Sequence, residues 1–215
     1  VVFRFCGTNA YFRLINSTLQ MKKYILSTLV LSIVALSQAN AQKLKKAFNG
    51  KNLDGWVVPM PNNDNWTVSK KILTVKSDDT RKGKTLWTEK SYKDFLIQAD
   101  YKNVSGVVDS GIFLRSDKDQ IQIGISGSLK RDLTGSPYIP GKGYPKEADL
   151  SSLKKDDWNT LKIKVVGNSY TVWLNGAEVM NYTSEGIADE GPIGIQLHPG
   201  NEMCIQYRKI LVAEI

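Results

Sequence analysis

The sequence predicts an all-β fold, an antiparallel sandwich or jelly roll, on three observations. Short runs alternate apolar and polar residues, as in Leu161-Lys162-Ile163-Lys164-Val165 and Tyr170-Thr171-Val172-Trp173-Leu174. Glycine and asparagine turns separate such runs, above all Asn175-Gly176, a strong two-residue hairpin signal. From residue 42 onward no segment repeats apolar residues at helical spacing.

The elements follow in order. Strands are expected at Trp66 to Val68, Ile72 to Val75 and Thr85 to Thr88. Phe95 to Lys102 alternates in its second half, and Ser110 to Arg115 and Gln120 to Ile125 read as two further strands. The stretch from Ser126 to Pro145 is rich in glycine and proline and too irregular for a strand or helix. Long loops of this kind often carry function, and the plain alternative is a surface loop. Residues 160–181 read as a three-stranded meander, turning at Gly167-Asn168-Ser169 and at Asn175-Gly176. Met203 to Ile215 is a β-rich run that should close a sheet.

The first 41 residues read differently. Met21-Lys22-Lys23 is a short basic region, Tyr24 to about Ala35 is apolar, and Ala39-Asn40-Ala41 is a small-x-small cleavage site. That is the anatomy of a secretory signal peptide, too short for a comfortable membrane span. Residues 1–20 are expected to be an upstream extension from a misplaced start codon. Residues 42–215 then form one exported domain, periplasmic or extracellular, without a stable membrane anchor after cleavage.

The net charge of +8 is concentrated in this leader, which holds four cations and no acid, so residues 42–215 carry +4. Their lysines are scattered or alternate along strands, as a solvated sheet face does. Nucleic acid would want a clustered basic patch, so it is excluded as a partner. Cys204 is the one cysteine after Cys6, and alternates with apolar neighbours as a buried filler. One histidine and no cysteine cluster exclude a typical zinc site. Calcium is unsupported, since no spaced Asp/Asn loop marks a site, and no cofactor is expected.

Two runs carry the candidate site. Asp109 to Arg115 reads as a strand that brings a lone arginine out of an apolar stretch. Ile193 to His198 reads as a strand ending in the sole histidine. If both line one face, they join a fixed cation to a titratable base, a site for a polar, uncharged ligand such as a sugar. Gln122 and Gln196 would hydrogen-bond hydroxyls, with Asp109 and Gln120 beside them. Tyr138 and Tyr144, on the irregular stretch, would stack on sugar rings. Trp56, Trp66, Trp158 and Trp173 read as packing, and Arg208 as a brace of its sheet. Glycosidases of the ordinary kind need two flanking carboxylates, and no spacing here specifies a pair.

An ordered set of motifs then stands out: FNGKNLDGW (Phe48 to Trp56), DFLIQADYK (Asp94 to Lys102), DSGIFLR (Asp109 to Arg115), Trp158-Asn159, VWLNG (Val172 to Gly176), GPIGIQLH (Gly191 to His198) and YRKI (Tyr207 to Ile210). On these the chain resembles the 3-keto-disaccharide hydrolase domain family, from about Lys46 to Ile215. The resemblance implies a concanavalin A-like jelly roll of two curved sheets with a sugar-sized groove. It also implies action on glycosides oxidised at the 3-position. The chain departs from the family pattern at Gln120, where many relatives carry glutamate, at Ile125 and Ser126, where an aspartate often stands, and at Leu197, where Asp often precedes the histidine.

A 3-keto sugar needs no carboxylate pair. The ketone acidifies the hydrogen on C2, so one base and one oxyanion partner suffice. Histidine suits the base, because its ordinary pKa of about 6.5 lets it cycle near neutral pH. His198 is the expected base and Arg115 the expected oxyanion partner or substrate clamp. The competing reading is a non-catalytic, lectin-like carbohydrate-binding module with the groove retained.

Overall fold

The computed structural model describes residues 43–59 and 64–215. The expected extension and signal peptide, residues 1–41, lie outside them. Among the described residues fourteen strands form: β1 (Lys45–Lys46), β2 (Trp56–Val57), β3 (Trp66–Ser69), β4 (Ile72–Lys76), β5 (Lys84–Tyr92), β6 (Phe95–Gly106), β7 (Asp109–Leu114), β8 (Gln120–Gly124), β9 (Pro137–Tyr138), β10 (Asn159–Val166), β11 (Ser169–Leu174), β12 (Ala177–Thr183), β13 (Gly191–Leu197) and β14 (Met203–Glu214). No helix occurs among the described residues.

Every pairing is antiparallel, and the strands divide into two sheets. One runs β12-β11-β10-β6-β14-β4-β3, with β1 also on β14; the other runs β2-β5-β13-β7-β8-β9. Together they make an all-β jelly roll. The period-two alternation read from the sequence is what builds the core. Leu161, Ile163 and Val165 of β10 and Val172 and Leu174 of β11 face inward. They meet Ile112 and Leu114 of β7, Ile121 and Ile123 of β8, and Ile193, Ile195 and Leu197 of β13, all at most 1 % exposed. Each such side chain contributes about 1.5–3 kcal/mol by leaving water.

Polar ties also cross the core. Tyr170 donates to Asp119 Oδ1 at 3.1 Å, and the Tyr207 hydroxyl meets Ser110 Oγ at 3.0 Å. Cys204 is buried, as expected of a filler. On the outer face Lys162 lies over its cross-strand partner Trp173 at 4.6 Å. Arg208 stacks on Trp158 at 4.0 Å and donates to Asp100 at 3.1 Å, bracing its sheet.

The turns obey backbone chemistry. Leu174 pairs with Ala177, so Asn175 and Gly176 form a two-residue loop with φ of 53° and 92°. Both values are left-handed, which asparagine and glycine accept. The stretch from Ser126 to Pro145 is more ordered than expected. It supplies β9 at the edge of the second sheet and buries Leu133, Thr134 and Ser136.

Candidate functional site

Residues at alternate positions of three neighbouring strands point away from the core on the second sheet. These are Asp109, Gly111 and Phe113 on β7, Gln120 and Gln122 on β8, and Gly194 and Gln196 on β13, with His198 just past the strand end. The chain after β8 folds back over them. The result is a cavity of about 270 Å³ lined by Asp109, Gln120, Gln122, Tyr138, Tyr144, Gln196 and His198, together with Ser126, Gly127 and Ser128. That is the scale of a single sugar ring, just under the ~300–1,000 Å³ usual for small-molecule sites.

Asp109 organises one side. It is 3 % exposed, and both of its oxygens are occupied. Gln122 Nε2 donates to Oδ1 at 2.8 Å, and the Gly127 backbone N–H donates to Oδ2 at 2.8 Å. Gly127 permits that approach, because a Cβ there would stand 3.0 Å from Oδ2. Gln122 in turn accepts from the Tyr144 hydroxyl at 3.0 Å. Burial raises the Tyr144 phenol above its ordinary pKa, so it remains a neutral donor. Asp109 and Gln122 therefore hold the site together rather than offering free groups to a ligand.

His198 stands beside this chain, its side chain 36 % exposed, with Nδ1 at 3.7 Å from Asp109 Oδ2. Nδ1 also lies 2.7 Å from the Pro199 carbonyl oxygen. A carbonyl only accepts, so this contact puts the proton on Nδ1 and leaves the Nε2 lone pair free.

A second pair sits across the floor. Gln120 Nε2 donates to Gln196 Oε1 at 2.6 Å. The bridge passes over Gly111, where a Cβ would lie 2.2 Å from Gln120 Nε2. Only a residue without a side chain fits beneath it. Gln196 keeps its amide N–H groups for a ligand. The Tyr138 and Tyr144 rings, 5.1 Å apart, form the wall. Beyond the cavity on the same face, Trp87 stacks on Phe113 at 5.5 Å over Gly194.

Arg115 is not part of this cavity, which corrects the expectation that it shares a groove with His198. The two residues lie at opposite ends of the paired strands β7 and β13. Asp109 and Arg115 are six residues apart, about 20 Å in an extended strand, and Gly191 rather than His198 abuts Arg115. Arg115 takes φ of 63°, which turns the chain off the strand. Its guanidinium, on a side chain 1 % exposed, donates to the carbonyls of Gly167 and Ala188 at 2.7 and 2.9 Å and to Asp94 at 3.1 Å. Burial lowers its pKa, and Asp94 opposes that shift. Arg115 clamps three connections at the far rim of the sandwich. Among the described residues no lysine or arginine lines the cavity, so a ligand there meets amide and hydroxyl groups instead of a fixed cation.

Sequence reasoning missed the role of the Ser126-Gly127-Ser128 turn, although it marked the loop as unusual. The Gly127 contact joins residues 18 apart and leaves no periodic trace.

Fold and cavity together define a jelly roll of the glucanase and lectin type, bearing a polar, sugar-sized site. The chain belongs to the 3-keto-α-glucoside-1,2-lyase-like domain family, which matches residues 43–213. Among solved structures it is similar to a candidate glycosyl hydrolase from Parabacteroides distasonis, at 21% identity, with 80% of this chain and 100% of that one covered and a TM-score of 0.60. It is similar to Bacillus licheniformis β-glucanase at 14% identity, 83% and 100% coverage and a TM-score of 0.59. It is also similar to the carbohydrate-binding module CBM66 of Bacillus subtilis at 14% identity, 74% and 96% coverage and a TM-score of 0.51. At these identities the likeness is one of fold. No curated protein sequence matches the chain.

Proposed function

We propose that this protein cleaves 3-keto-glycosides by elimination, with His198 as the base. The observation that carries the reading is the placement of His198 at the cavity, with Nδ1 2.7 Å from the Pro199 carbonyl and 3.7 Å from buried Asp109, from which we assign the proton to Nδ1 and the lone pair to Nε2. Nε2 takes the hydrogen from C2 of the sugar, and the electron pair passes into the enolate of the C3 ketone. The enolate collapses to a C1=C2 double bond as the C1–O bond breaks. The proton held on His198 goes to the departing oxygen, and water adds to the double bond afterwards where the net reaction is hydrolysis. Gln196, rather than Arg115, donates to the ketone oxygen. The Trp87–Phe113 stack gives the second sugar an apolar surface. The absence of a carboxylate pair at Gln120 and Ile125 suits this chemistry, which needs none. The signal-peptide anatomy of Met21 to Ala41 supports an activity outside the cytoplasm.

A second reading, a binding module, draws on the same cavity having no lysine or arginine among its described lining and on a fold shared with CBM66. Turnover of a 3-keto-glycoside with a chromogenic leaving group separates the two. Release that is lost in His198→Gln supports the lyase. Sugar binding without release by the wild type supports the module.

A further inference from the structure

β14 is paired along one edge by two strands in succession, β4 against Cys204 to Tyr207 and β1 against Leu211 and Val212. Between them the strand bulges, with Lys209 at φ of 49°. A cavity of about 400 Å³ opens over this gap. It belongs to the β14 sheet, not to the sheet that carries the groove.

Its lining combines two kinds of surface. Phe48, Ile72 and Leu211 are apolar, and Lys46, Lys70 and Lys71 are cationic. All three lysines are exposed, and their ammonium groups have no ion-pair or hydrogen-bond partner among the described residues. Arg208 and Lys209 at the edge both reach Asp100 instead, at 3.1 Å. Among the described residues no aspartate or glutamate lines the cavity.

The turn that delivers two of the lysines is strained. Ser69 pairs with Ile72, so Lys70 and Lys71 form a two-residue loop with φ of 50° and 64°. Asparagine and glycine favour that left-handed geometry, while lysine resists it. The strain brings two like charges to one rim, which costs energy unless an anion sits between them.

We propose that this cavity is a second binding site, for an amphipathic anion: a sulfate, carboxylate or phosphate carried on an apolar chain or ring. The unpaired lysines select the charge. The apolar wall selects the body and disfavours a plain inorganic anion. The volume lies within the ~300–1,000 Å³ of small-molecule sites.

The probe is 8-anilinonaphthalene-1-sulfonate, titrated into the purified protein at low salt and followed by fluorescence. Saturable binding is expected, weakened about tenfold or more when Lys46, Lys70 and Lys71 are all changed to glutamine. His198→Gln, in the groove, leaves it unchanged. Octyl sulfate displaces the probe and octyl glucoside does not. The double variant Lys70→Asn, Lys71→Gly relaxes the turn, so it melts at a higher temperature while binding the probe more weakly. Sedimentation with phosphatidylglycerol vesicles locates the source of the anion. Pelleting that requires the three lysines assigns it to lipid headgroups, and no pelleting beside octyl sulfate binding assigns it to a free solute. Probe affinity that survives the triple substitution, or equal displacement by octyl glucoside, overturns the proposal.

Discussion

Replacing Asp109 with asparagine separates the chemical role of this carboxylate from its structural one. Both oxygens accept a hydrogen bond in the wild type. The asparagine amide must turn its NH₂ toward one of two donors, and Gln122 can answer it. If the Gln122 amide flips, its oxygen accepts from the new side-chain NH₂ and its nitrogen donates to the Tyr144 oxygen, because a phenol both donates and accepts. The network survives, so the loss of stability should stay under about 1 kcal/mol. The charge does not survive. At 3.7 Å a carboxylate stabilises an imidazolium by about 1 kcal/mol in water and about 4.5 kcal/mol at an effective dielectric of 20. His198 is about one third exposed and the contact is longer than a hydrogen bond, so solvent screening keeps the effect near the lower figure of about 1 kcal/mol, or roughly 5-fold in the proton-transfer rate. Leaving-group release from a 3-keto-glycoside, beside a thermal melt, reads both quantities. An Asp109→Asn protein that melts near the wild type but keeps its full rate would refute the reasoning. Asp109→Ala gives the contrast, since it strands the Gln122 and Gly127 donors and should cost about 2–4 kcal/mol of stability as well.

Three further outcomes follow from the same geometry. Arg115→Met should destabilise the fold by about 3 kcal/mol in denaturant unfolding, because Asp94 and two carbonyls lose their donor, while the protein that stays folded keeps its KM. Gly111→Ala should displace the buried Gln120 side chain from Gln196, because a Cβ would lie 2.2, 2.6 and 2.7 Å from its Nε2, Cδ and Cγ; KM should rise about tenfold and the melting temperature should fall. Burial pushes the Asp100 carboxyl up, but hydrogen bonds from Thr160, Lys209 and Arg208 outweigh it and hold its pKa below the ordinary 3.8. Its stabilisation is therefore present above about pH 4 and lost as pH falls through the folded-state value; Asp100→Asn should flatten the acid limb of stability plotted against pH.

The strands were legible because period two is imposed residue by residue. Leu161 to Val165 could alternate only by facing core and solvent in turn, and Asn175-Gly176 specified a loop of two. The same rule misplaced Arg115. Parity puts 109, 111, 113 and 115 on one face, and three of the four positions do share it. The left-handed backbone at Arg115 breaks the sequence of faces, and nothing about an arginine announces φ of 63°. The drive for that turn is tertiary, three acceptors from three separate connections. Asp109 was named as a substrate contact because it is polar and lies on the correct face. That both of its oxygens are filled by Gln122 and Gly127 depends on a loop folding back, which local pattern does not encode. His198, Gln196, Tyr138 and Tyr144 were findable because they stand out as polar or aromatic groups at strand ends or in an irregular loop.

The central claim is that His198 removes the C2 proton. Its most direct test is the kinetic isotope effect on leaving-group release from a 3-keto-glycoside deuterated at C2. The account predicts a primary effect in the wild type, with release lost in His198→Gln while sugar binding persists. Release that is indifferent to C2 deuteration and survives His198→Gln would contradict it.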